Sequence, residues 1–179
     1  INSIIDTDTM TPCLKKQKNK FEFFLVARLS FKDKGTDKII RAFSKLVKKY
    51  DAHLFCMDFG TDVEKTRLLI NNLGISEHVT FYNFIASKPA LNKIFNSHDF
   101  VIGDLSSGHF GISELEALAC EKQVISNNNE ITSIEKGIPI LKANSEEEIL
   151  NQMINLCNNK NLPSGLRDFI LKNFNFETF

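Results

Sequence analysis

Three stretches of this 179-residue chain offer cations, or glycine with free backbone amides, in a way suited to holding phosphate. Arg28 closes the apolar run Phe23-Phe24-Leu25-Val26-Ala27. A guanidinium cannot stay in a core, so it is expected to leave the strand end toward a crevice, where its two-pronged fork matches a phosphate. The plain alternative is a surface arginine at a strand end. Lys34-Gly35 stands just ahead of a helical pattern. Lysine offers a point charge and glycine lets the backbone approach a ligand, although the pair is also a common turn dipeptide. The third stretch runs Ser106-Ser107-Gly108-His109-Phe110-Gly111-Ile112-Ser113-Glu114-Leu115-Glu116-Ala117. Small residues there lead into a helix, and unpaired N–H groups at a helix start bind phosphate. The amides of Gly111, Ile112 and Ser113 are the expected diphosphate donors. Glu116 falls within about a turn and a half of that start. Its carboxylate can accept both hydroxyls of a ribose, or it simply balances the helix dipole.

Weaker candidates surround these. In Asp58-Phe59-Gly60-Thr61, Gly60 either brings the backbone close to a ligand or makes a turn. His109 can donate to a phosphate or a sugar hydroxyl. His53, His78 and His98 flank predicted strands and are expected to make local hydrogen bonds. No His/Asp/Glu cluster has metal-ligand spacing, so no metal site is expected. No Gly-x-Ser-x-Gly or Walker-type lysine loop appears, and Gly-x-Gly-x-x-Gly is also absent, which lowers the dehydrogenase reading.

Composition narrows the partners. Twenty-two basic residues face 22 acidic ones, so broad attraction to nucleic acid or anionic lipid gets no support. Cys13, Cys56, Cys120 and Cys157 lie far apart, with Cys56 and Cys120 in apolar runs; reduced thiols and a cytoplasmic setting are expected. No apolar stretch approaches the ~20 residues of a membrane span, and no signal peptide is visible. The chain opens on Ile1, which suggests a fragment of something longer.

The elements that must position these groups alternate. Residues 1–20, with Thr11-Pro12 and lysines 15, 16, 18 and 20, read as a linker or surface arm. Strands are predicted at 23–27, 53–57, 79–82, 100–102, 124–125 and 138–141. Between them lie helical patterns starting at Gly35-Thr36-Asp37, at Thr61 or Asp62 as cap, at Ser87-Lys88-Pro89 and at Ile112. Ser145-Glu146-Glu147-Glu148 opens another, and Leu166 to Phe174 a last one. Such alternation predicts an α/β domain over 21–179: a three-layer parallel sheet with helices on both faces. Ligands then bind beyond the carboxyl ends of the strands, at a switch point.

In order along the chain, these pieces resemble the C-terminal domain of group-1 glycosyltransferases, family 4, of the GT-B fold. Ile5-Asp6-Thr7-Asp8-Thr9-Met10-Thr11-Pro12 is similar to the family's interdomain linker, Ala27-Arg28-Leu29 with Lys34-Gly35 to its Gly-Arg-Leu and Lys-Gly pair. Leu54 to Gly60 resembles its second strand and glycine turn, and Val79-Thr80-Phe81 through Ile85 the segment that meets the base. Phe110-Gly111-Ile112-Ser113-Glu114-Leu115-Glu116-Ala117-Leu118-Ala119 resembles its Phe-Gly-x-x-x-x-Glu-Ala-(Met/Leu)-Ala. The resemblance implies the Rossmann-like donor half of a sugar transferase that acts with retention and without a metal or other cofactor, the nucleoside-diphosphate sugar being a co-substrate. Arg28 and Lys34 would hold the diphosphate, Glu116 the ribose and Ile85 the base. The acceptor, a glycan or lipid-linked sugar, would belong to an N-terminal domain not contained here, and any membrane contact to that half. The domain alone would be inactive.

Two departures accompany it. Where the family carries a second Glu, eight positions before Glu116, this chain has Gly108; either sugar recognition differs, or His109 or Asp104 contributes to it. Glu121 and Gln123 replace the family's Gly and Pro after the helix. A degenerate, non-catalytic nucleotide-sugar module and half of a nucleotide-sugar epimerase therefore stand as alternatives.

Overall fold

The apolar runs form a six-stranded sheet, parallel throughout, in a computed structural model that describes residues 5–13, 19–83, 87–108, 111–127, 137–160 and 162–174. Its strands are β1 (Phe21–Leu25), β2 (Ala52–Met57), β3 (Val79–Tyr82), β4 (Phe100–Ile102), β5 (Gln123–Ser126) and β6 (Leu141–Lys142), in the order β3-β2-β1-β4-β5-β6. The chain builds outward from β1 to β3, then crosses back to lay β4 on the other side of β1. Phe23 pairs with Leu54 on one side and with Phe100 on the other. The crevice between the ends of β1 and β4 is thus the switch point where open α/β sheets take ligands.

Period-two alternation divides the core between the two faces. Phe23 and Leu25 enter one cluster with Ile39, Ile40 and Phe43 of α2 (Thr36–Leu46) and Ile149 and Met153 of α6 (Glu146–Cys157). Phe24 and Val26 enter the other, with Phe95 of α4 (Lys88–Ser97), Leu115 and Leu118 of α5 (Ile112–Ala119) and Ile170 of α7 (Leu166–Phe174). α3 (Val63–Asn72) packs beside α2 and contributes Ile70 to the first cluster. Each such side chain adds about 1.5–3 kcal/mol on leaving water, which is why strands buried on both faces read as unbroken apolar runs. The Rossmann-like, three-layer expectation is met.

Local differences have local causes. β1 starts and stops two residues earlier than predicted. Beyond Val26, whose amide still reaches the Ile102 carbonyl, the chain leaves the ladder to bond with the β2–α3 turn: the Leu29 amide to the Phe59 carbonyl at 2.8 Å and the Asp62 amide to the Leu29 carbonyl at 3.0 Å. A short helix absent from the prediction, α1 (Phe31–Lys34), follows; the Ser30 hydroxyl accepts from the Asp33 amide and Gly35 closes it. β6 begins only at Leu141, since Pro139 has no N–H to offer a ladder. Asp62 occupies the cap position of α3, yet its carboxylate accepts from the Phe31 amide instead, at 2.9 Å. The first residues are no solvated arm where they are described: Ile5 and Met10 are buried in the second cluster, and the Ile5 amide donates to the Phe174 carbonyl. Lysines 15, 16 and 18 lie outside the described residues.

Candidate functional site

Arg28 and Lys34 come together at the switch point. β1 releases the chain at Val26, and α1 delivers Lys34 back over the same crevice. An opening of about 240 Å³ there is lined by Val26, Ala27, Arg28, Lys34, Asp104 and the first residues of α5, Gly111 to Glu114. Arg28 is half-exposed and pairs with Asp33 at 3.1 Å, an exposed contact that a competing anion displaces at little cost. Lys34 is tied to Asp104, whose carboxylate is buried and fully engaged. One of its oxygens accepts from the amides of Ser106 and Ser107, at 2.9 and 3.0 Å; the other takes the Lys34 ammonium and the Ser107 hydroxyl. Burial pushes the Asp104 carboxyl up, but Lys34 and Ser107 more than offset this and it ends below the ordinary carboxylate range. Asp104 therefore organises the loop and aims Lys34; the ammonium has three N–H donors and keeps others for a ligand.

The start of α5 supplies amides, though not all three expected ones. Gly111 N–H donates to the Glu114 carboxylate, so it is already committed. Among the described residues, the amides of Ile112 and Ser113 find no acceptor, and Ile112 is half-exposed. Glu114, not singled out in the sequence, is the hub beneath them. It is 3% exposed and accepts from the Asp104 amide at 2.6 Å while meeting the Ser126 hydroxyl at 3.0 Å. The ends of β4 and β5 and the start of α5 are thus joined through one carboxyl. It passes over Gly103, where any Cβ would overlap it. Burial, outweighing these hydrogen bonds, lifts the Glu114 carboxyl to about 7. The only sequence signal was Gly111-x-x-Glu114, a capping arrangement with glycine at the cap.

Glu116 does not line this opening. It is buried one turn further along α5; one oxygen is held by Lys88, the first residue of α4, and the other has no hydrogen-bond partner. No sequence pattern links Lys88 to Glu116 across 28 residues. Gly60 lies elsewhere again: a Cβ at Gly60 would overlap the backbone of Leu29, so its close approach is to the chain itself. It props the β1 exit that carries Arg28. Ile85 and His109 fall outside the described residues. The remaining histidines do make local contacts, His53 with Thr80 at 2.8 Å and His98 with the Ile94 carbonyl at 2.7 Å.

Two cations and two open amides facing one crevice can hold an anion and stabilise negative charge that develops there. Known proteins resemble this chain in sequence and in fold. The family model described as "Glycosyl transferases group 1" matches residues 6–168. An uncharacterized glycosyltransferase of Methanocaldococcus jannaschii is 29% identical over 174 residues, 91% of this chain and 44% of its own length. The chain thus spans under half of that curated relative. Among solved structures, the C-terminal domain of a glycosyl transferase group 1 family protein from Francisella tularensis superposes with a TM-score of 0.76 at 20% identity, over 96% of this chain and 99% of that one. The Anabaena protein HepE, solved with UDP and glucose, gives 0.77 at 19% identity over 98% of this chain and 52% of its own.

Proposed function

The chain belongs to the group 1 glycosyl transferases, and on that premise we propose that it is a donor domain, binding a nucleoside-diphosphate sugar whose sugar passes to a glycan or lipid-linked acceptor held by a second domain. The convergence of Arg28, Lys34 and the amides of Ile112 and Ser113 on one crevice at the β1/β4 switch point carries this reading. The diphosphate sits against these donors. As the bond from the anomeric carbon to the diphosphate breaks, charge gathers on the leaving oxygens; Lys34, aimed by Asp104, and the helix-start amides meet it already in place, and Arg28 joins them on leaving Asp33 for the diphosphate. They do so without a metal, and configuration at the anomeric carbon is retained. The opening, about 240 Å³, is smaller than the roughly 300–1,000 Å³ of pockets that enclose a whole ligand, which suits a site that a second domain completes.

Isothermal calorimetry with UDP, GDP and ADP sugars tests this. One class is expected to bind weakly, and Arg28→Met, a half-exposed position where folding is spared, should weaken it by about tenfold or more, the value of a charge-assisted hydrogen bond. Folded protein that binds none of the three would sink the proposal.

Gly108 favours a second reading, a module that binds the donor but has lost catalysis. Turnover by this domain joined to an acceptor domain would rule that out.

A further inference from the structure

Glu114 is a buried carboxyl that lines the crevice yet has no cation of its own. It is 3% exposed, and among the described residues no ammonium or guanidinium pairs with it. The cations of the opening are taken: Arg28, from the end of β1, by Asp33, and Lys34, from α1, by Asp104. Facing Glu114 are the Asp104 carboxylate and amide from the loop after β4, the neutral Ser126 hydroxyl from β5 and the Gly111 amide at the cap of α5. The Asp104 charge adds to burial in favouring the neutral form, and the carboxyl is lifted to about 7. Gly111 is exposed, lines the opening and precedes the two open amides of Ile112 and Ser113. Its N–H would make a third anchor for a phosphate, but Oε2 of Glu114 holds it. A proton on Oε2 turns that oxygen into a donor. The Gly111 amide is then given up to the crevice, and a negative charge beneath the anion is removed.

We propose that binding of the nucleotide sugar is linked to protonation of Glu114: the carboxylate competes with the diphosphate for the Gly111 amide, and the diphosphate binds with uptake of one proton from solvent onto Oε2. This rests on the donor-domain reading above and adds a control to the same site. The sign follows from linkage. At low pH the proton is already in place and affinity is greatest. Above the free protein's value, binding must draw the proton in, and affinity falls by up to about tenfold per pH unit until the value of the complex is reached.

The test is calorimetry with UDP, GDP and ADP sugars, whose diphosphate diesters keep the same charge between pH 6 and pH 8.5. Wild-type protein should bind about tenfold more weakly at pH 8.5 than at pH 6. At pH 8 its heat of binding should also vary with the ionisation enthalpy of the buffer, as uptake of a proton requires. Glu114→Gln, neutral at every pH, should remove both effects. Should that variant fail to fold, Ser126→Ala takes its place: it deletes a hydrogen bond that favours the carboxylate, so the fall in affinity should move to higher pH. Wild-type affinity that is level across this range overturns the proposal and leaves the donor site intact. So does a fall that persists in Glu114→Gln or stays where it was in Ser126→Ala, since the titrating group is then another. Folded protein blind to all three sugars at both pH values removes the donor site, and the proposal with it.

Discussion

Asp104 and Glu114 stand side by side under the same crevice and titrate in opposite directions. Lys34 draws Asp104 below the ordinary range, whereas Glu114 meets only neutral donors and burial lifts it to about 7. The consequence for stability has a definite sign. A native carboxyl raised from 4.5 to about 7 binds its proton more tightly than the unfolded chain does. Its contribution is complete below the ordinary carboxyl value and is lost as pH rises through about 7. At about 1.4 kcal/mol per unit, that loss is on the order of 3 kcal/mol. Urea denaturation at pH 5 and pH 8 should show it in the wild type, and Glu114→Gln should flatten the difference whatever it does to stability overall. An unchanged slope in Glu114→Gln would place the titrating group elsewhere.

At the scale of the element, α5 shows how a helix end can outlast its glycine. Glu121 has φ 56°, in the left-handed region, where a side chain costs about 1–2 kcal/mol. The turn persists because its hydrogen bonds hold it: the Glu121 amide to the Leu118 carbonyl at 2.9 Å and the Lys122 amide to the Ala117 carbonyl at 3.0 Å, the two bonds of a Schellman ending. Glu121→Gly should therefore stabilise the domain by about 0.5–1 kcal/mol, a melting temperature roughly 2 °C higher at this chain length. Thermal unfolding followed by circular dichroism reads this directly; a lower melting temperature would mean the Glu121 side chain contributes more than its backbone strain costs. The same helix sets the site at its other end, where Ile112 and Ser113 are the residues whose amides the first turn leaves open.

Across the whole molecule, Arg167 fastens the chain's first described segment to its last helix. Its guanidinium donates to the carbonyls of Met10 at 2.6 Å, Ala119 at 2.7 Å and Thr7 at 3.0 Å. It thereby joins residues 5–13, the end of α5 and α7, and so braces the α5 that carries Ile112, Ser113 and Glu116. Arg167→Met is expected to cost about 3 kcal/mol, since three carbonyls lose a charged donor at once. Urea unfolding measures the cost, and earlier proteolysis within residues 5–13 should accompany it. A loss under about 1 kcal/mol would show that water replaces the guanidinium readily.

Much of this was legible in the chain alone. β3, β4, α5 and α7 begin and end where their apolar periodicity and flanking residues placed them, because a strand buried on both faces and a helix with one apolar stripe write their burial directly into local spacing. Arg28 and Lys34 were readable as strand-end and helix-edge cations for the same reason. What local spacing could not carry was pairing. That Lys34 answers to Asp104 and Lys88 to Glu116, that Glu114 reaches the Asp104 amide, and that Gly60 is small for the sake of Leu29 depend on contacts between separate elements of the chain. Hydrogen bonds and steric overlap act over a few ångströms of space, so only the strand pairing could decide which of these groups would meet: β1 against β2 for Leu29 and Gly60, and the crossing from β3 back to β4 for Lys34 and Asp104.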